Sequence, residues 1–146
     1  LTTILNSTGE WDSHTSTTLF GSYTIGATAN WDDSAPDGRN EFSFGNYSSA
    51  DVIAVTVVWG YFSGPGWMRQ ITEFDVLFDT DYVWGDATIN PLVMDLENIA
   101  VHEIGHGVGL KDIYESSCGE VTMYGYSTEG ETSKTQMLDP ETCTGF

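Results

Sequence analysis

Positive charge is nearly missing from this chain. Its 146 residues carry four basic side chains (Arg39, Arg69, Lys111 and Lys134) against 22 acids, a net charge of −18. Such a surface repels nucleic acid and anionic membranes, so neither is expected as a partner. Acidity of this degree suits high salt, loops that hold calcium, or simple solubility. Histidine is scarce too: His14, His102 and His106 are the whole supply. With two cysteines, Cys118 and Cys143, the chain cannot build a multi-cysteine metal knuckle or a dense disulfide framework. A single Cys118–Cys143 disulfide suits an oxidising, extracellular compartment, and two free buried thiols are the alternative. No apolar run approaches the roughly 20 residues that span a membrane, so membrane insertion is not expected. The chain begins at Leu1 without Met, which fits a processed, secreted form or a trimmed sequence.

What is present suits one folded domain over 1–146. Hydrophobic residues make up 40% of the chain, with five Trp and seven Tyr, enough for a single core and too many for disorder. Residues 1–18 are rich in Thr and Ser, with Leu1, Ile4, Leu5 and Trp11 forming one weak helical face. The segment 19–31 reads as turns with a short strand. Pro36 and the Asp37-Gly38 pair make 31–40 a polar loop. Alternation of Phe42 and Phe44 predicts a strand over 40–45. The β-branched run 51–62 predicts a second, and Ile71, Phe74, Val76 and Phe78 predict a third over 71–79. After Pro91 the period becomes helical. Asp95 is the expected N-cap of a helix reaching about Val108, and Asp139 and Pro140 open a second helix at 138–141. Strands followed by helices predict the α+β class.

The chemistry concentrates in "VHEIGHGVGLKD", residues 101–112. Residues four apart on a helix share a face, so His102 and His106 can offer ring nitrogens to one ion. Zn²⁺ takes imidazole nitrogen in a tetrahedral shell, and Glu103 can reach a water on that zinc without ligating the metal. No histidine follows His106, so a third ligand from further along must be of another type. Gly109 can take the left-handed conformation that ends a helix and reverses the chain, bringing Asp112 back beneath the ion. Asp112 in a solvated turn is the alternative, with Glu115 the next candidate ligand. His14 lies far off in the Ser/Thr-rich start and reads as a surface residue.

The stretch from His102 to Asp112 resembles the zinc signature of the metzincin metallopeptidases, H-E-x-x-H-x-x-G-x-x-H, with Asp in the last place as in the snapalysin-like branch. The wider chain, over about 40–130, is similar to the matrixins. The resemblance implies a metzincin-like catalytic domain: a twisted mixed β-sheet, an active-site helix, and a short irregular C-terminal subdomain. An upper part (about 1–109) and a lower part (about 110–146) would meet at the cleft. It also implies a Met-turn at Met123 in "VTMYG", a floor beneath the metal and not a ligand. The strand over 52–59 would be the edge strand along which substrate lies, and residues 124–136 would wall a specificity pocket.

The implied activity is that of a secreted, monomeric zinc endopeptidase. It would cleave internal bonds of a protein or peptide through a zinc-bound water activated by Glu103. A non-catalytic binding module stabilised by zinc is the alternative; a structural zinc normally closes its fourth position with another protein ligand, and no Cys or His stands nearby for it. Leu77 occupies a place where vertebrate-type matrixins carry a ligand of a further structural zinc, so no such zinc is expected. Gly125 stands two residues after Met123, where some metzincins have Tyr, and Tyr126 follows one place later. Calcium is an open alternative to plain solvation at "DTDY" (79–82), near a matrixin calcium position, and at the loop holding Asp32, Asp33 and Asp37.

Overall fold

The computed structural model describes residues 2–26, 28–135 and 143. The weak apolar face near the start becomes helix α1 (Thr2–Ser13). Its Trp11 is buried and donates its indole N–H to the Val101 carbonyl at 2.8 Å. One aromatic anchor thus docks a helix that is otherwise polar.

Three strands form a mixed sheet: β1 (Glu41–Gly45), β2 (Ala54–Tyr61) and β3 (Gln70–Asp79), in the order β1-β3-β2. β1 runs parallel to β3, with Phe42 beside Val76 and Phe44 beside Phe78. β2 runs antiparallel to β3 and leaves its outer edge unpaired among the described residues. A short parallel pair, β4 (Trp84–Gly85) and β5 (Met94–Asp95), leads into helix α2 (Leu96–Gly107). These elements make the fold α+β, as the sequence pattern predicts.

The core lies on both flanks of α2. On one side Ile99 and Ala100 pack on Phe74, Val76 and Phe78 of β3. On the other, Val101 and Ile104 meet Trp11, Ile113, Val121 and Met123. The disulfide between Cys118 and Cys143 borders this second cluster. Asp95 caps α2 as expected, its Oδ1 accepting the Asn98 N–H at 2.8 Å while Oδ2 accepts the Ala87 N–H at 2.8 Å.

Two expectations need correction or fall outside view. The segment 19–31 forms no strand among its described residues; its turn-rich composition leaves too few consecutive β-formers to pair. The other face of β3 is covered as well, with Glu73, Asp75 and Asp79 all buried. The loop over 31–40 folds across that face, and its amides at Asp32, Asp37 and Gly38 donate to the Asp75 and Glu73 carboxylates. The helix expected at 138–141 lies outside the described residues.

Candidate active site

α2 presents His102 and His106 one turn apart, their rings meeting edge to face with centroids 4.8 Å apart. The helix then stops in two hydrogen bonds, from Gly109 N–H to His106 O and from Leu110 N–H to Gly105 O, both at 2.9 Å. This is the Schellman arrangement. It needs a left-handed residue, supplied by Gly109 at φ 97°. The reversal carries Asp112 back until its Oδ1 stands 3.2 Å from His102 Nε2 and 3.4 Å from His106 Nε2.

The rings are held from behind. His102 Nδ1 lies 2.8 Å from the Thr122 carbonyl, and His106 Nδ1 lies 3.0 Å from the Leu110 carbonyl. A carbonyl only accepts, so both Nδ1 atoms carry the proton and the neutral rings turn Nε2 lone pairs inward. Asp112 Oδ1 is buried there without a hydrogen-bond donor. Three electron-rich atoms face one point, an arrangement that a cation completes. Ligands about 2.0–2.1 Å from a tetrahedral zinc stand roughly 3.3 Å apart, close to the 3.2 and 3.4 Å from Asp112 Oδ1 to the two Nε2 atoms. The three residues also form a group able to hold a metal ion.

A proton is the other way to fill the gap. Burial opposes charge on His106, but the Asp112 carboxylate and Glu103 outweigh it and raise its pKa to about 9. The neighbouring imidazoles of His102 and His106 hold Asp112 far below the usual carboxylate range. Metal and proton therefore compete for one place.

Glu103 is buried beside this group and borders a cleft of about 720 Å³. Its Oε2 accepts the Thr56 hydroxyl, which ties α2 to edge strand β2 and leaves Oε1 for other work. The turn after Asp112 runs beneath α2. The Ile113 N–H donates to Met123 O at 2.8 Å and the Gly125 N–H to Ile113 O at 2.9 Å. Met123 sits under Gly105, where a Cβ would come within 2.2 Å of its sulfur. The glycine between the two histidines is thus the place where helix and turn touch.

The match with known proteins now becomes informative. The model of the matrixin family matches residues 41–142. The chain belongs to the matrixin family. Among curated proteins, none matches it. As a matrixin, it is by family a zinc metallopeptidase acting on protein or peptide substrates. The family match begins where β1 begins, so α1 and the loop before β1 lie outside it.

Other sequence-derived candidates lie apart in this matrixin. His14 is exposed and pairs with Glu10 at 3.2 Å on α1. Glu115 is exposed and outside the metal-competent group. Tyr126 is exposed at the cleft and packs against Tyr114 and Tyr124. Asp79 and Asp81 gather no third ligand among the described residues, whereas Asp32 joins two other acidic groups.

Sequence reasoning overlooked several supporting side chains. Tyr114 donates its hydroxyl to Asp112 Oδ2 at 3.0 Å, turning Oδ1 toward the histidines. Thr56 is a second, and its alternation along β2 was the available signal. Lys134 is a third: it is almost wholly buried, bordering the cleft, and paired with Glu131 at 3.1 Å. Nothing in its local sequence distinguishes it from a surface lysine.

Proposed function

We propose that this matrixin is a secreted zinc endopeptidase whose metal is held by His102, His106 and Asp112. The observation that carries the reading is the buried, donorless Asp112 Oδ1 facing two imidazole nitrogens whose opposite sides are already committed. Zinc bound there would polarise the scissile carbonyl and make a nearby water more acidic. Glu103 takes the proton of the attacking water on Oε1 and passes it to the leaving amine. The Thr56 hydroxyl on Oε2 keeps that carboxylate turned to the cleft. Met123 serves as an apolar floor.

The peptide substrate lies extended along the unpaired edge of β2, which borders the cleft at Ala54, Val55, Thr56 and Val58, and pairs with it by main-chain hydrogen bonds. Tyr124, Tyr126 and Lys134 border the same cleft and wall the pocket beyond the scissile bond. We read the chain as one catalytic domain whose upper and lower parts divide near Gly109. Placement outside the cell is favoured by the disulfide and by the lack, among the described residues, of any helix long and apolar enough to cross a membrane.

The test is cleavage of casein or a peptide library by purified protein, before and after zinc removal and after zinc is restored. Activity lost on removal and regained with zinc is expected. Undiminished cleavage by metal-free protein would overturn the reading. Stoichiometric zinc with no cleavage would favour the zinc-stabilised binding module instead.

A further inference from the structure

Only four basic side chains serve this chain of net charge −18, and two of them, Lys111 and Lys134, border the active-site cleft. Three acids border it as well: Asp51, Glu103 and Asp112. Glu103 and Asp112 already have tasks there, which leaves Asp51 as the uncommitted negative charge. The cleft is thus far less acidic than the molecule around it.

Lys111 is exposed, whereas the Lys134 side chain is only 1% exposed. Its ammonium donates to the Tyr126 carbonyl and pairs with Glu131 Oε1 at 3.1 Å. It also stands 5.6 Å from the centre of the Tyr124 ring, whose face attracts a cation. An ammonium has three N–H bonds. Two acceptors meet this one among the described residues, so one N–H is left for a further acceptor.

Glu131 does not cancel the cation. Its carboxylate also accepts the Ser127 hydroxyl at 2.8 Å, the Ser133 hydroxyl at 3.1 Å and the Thr128 N–H at 3.3 Å. Shared among these donors, it aims the ammonium more than it neutralises it. Burial lowers the Lys134 pKa although Glu131 opposes the shift, so the protein compensates this charge only in part.

The lysine side chain is not needed to hold its own segment in place. The tie to α2 runs through the Lys134 backbone N–H and Asn98 Oδ1 at 2.7 Å, a donor that every residue but proline offers. A buried ion pair seldom stabilises a fold beyond what an apolar side chain of similar volume would. A buried cation in the wall of a cleft therefore points to a task in the cleft.

We propose that Lys134 selects substrates with an acidic side chain, Asp or Glu, immediately after the scissile bond. The pocket is the one that the peptidase reading gives to Tyr124, Tyr126 and Lys134, and the selection rests on that reading. A carboxylate entering the pocket takes the remaining N–H, directly or through one water. An apolar side chain desolvates the ammonium and offers it no partner. The net charge does not undo this choice. Exposed charges more than about 8 Å apart are largely screened at physiological salt, whereas the contact in the pocket is short and shielded.

The experiment profiles zinc-loaded full-length protein with a peptide library varied at the residue after the scissile bond. Wild type should prefer Glu or Asp over Leu there by about tenfold or more in kcat/KM. Lys134→Met should abolish or reverse that preference with zinc content unchanged. Glu131→Gln keeps the lysine and removes its competitor, so the preference for acids should grow; this variant decides the matter even where Lys134→Met fails to fold. A wild type that favours Leu, or a Glu131→Gln profile identical to wild type, overturns the proposal. Binding is read separately by fluorescence anisotropy on the zinc-loaded Glu103→Gln protein, with and without Lys134→Met. The labelled peptides differ only in carrying Glu or Leu at the varied residue. Lys134→Met should weaken the Glu peptide about tenfold and leave the Leu peptide unchanged; equal effects on both overturn the proposal. Protein that cleaves without a preference for acids removes this selection alone. Protein that binds the Glu peptide through Lys134 yet cleaves nothing removes the peptidase reading alone.

Discussion

Glu103 and Asp112 perform different tasks, and substitution should separate them. Glu103→Gln keeps the metal ligands but removes the proton acceptor. Peptide hydrolysis should fall by about 10²–10⁴-fold with zinc content unchanged by elemental analysis; a variant that cleaves normally would remove Glu103 from the mechanism. Asp112→Ala should release zinc, and full metal occupancy in that variant would refute the assignment. Asp112→His should retain zinc while lowering the negative charge around it. That makes the attacking water more acidic, so the acidic limb of the pH–rate profile should move to lower pH. Tyr114→Phe, which frees Asp112 Oδ2, should weaken zinc about 10–100-fold in competition with a chelator.

Helix α2 succeeds as a platform because both its ends are specified. Asp95 caps the start and Gly109 turns the chain at the end. Gly109→Ala puts a Cβ on a left-handed residue and should cost about 1–2 kcal/mol, seen as a lower denaturation midpoint together with weaker zinc binding, since the same turn delivers Asp112. Gly105→Ala meets the sulfur of Met123, and overpacking of this kind costs about 1–3 kcal/mol. A Gly105→Ala protein as stable as wild type would show that the turn below the helix yields easily. Both ends of α2 were legible from Asp95 and Gly109, because capping depends on a few neighbouring residues. The burial of Glu73 and Asp75 was not legible: alternation along β3 says which side chains share a face, but not what will cover that face.

The molecule as a whole carries a charge of −18 and one disulfide across a separation of 25 residues. Self-repulsion on this scale is screened by salt, so the melting temperature should rise between about 10 mM and 0.5 M sodium chloride. A fall over that range would mean that local ion pairs outweigh the net field. Reduction of Cys118–Cys143 should cost about 2–4 kcal/mol, with melting followed in the presence and absence of reductant. The chain beyond the Gly109 reversal depends on this bond and on α2. Asn98 accepts the Lys134 N–H at 2.7 Å and donates to Ser127 at 3.3 Å, tying the chain beyond the reversal to the helix.

The α+β class, the helix bearing His102, Glu103 and His106, and the glycine-led turn to Asp112 could all be read from the order of residues. Each rests on periodicity, capping or spacing within about a dozen positions, where covalent connection limits the geometry. Contacts across long separations could not be read. Thr56 meets Glu103, Trp11 meets Val101, and Asp32 and Glu41 converge on Asp75. Many partners compete for each such contact, and packing of the helix, the sheet and the covering loop selects among them.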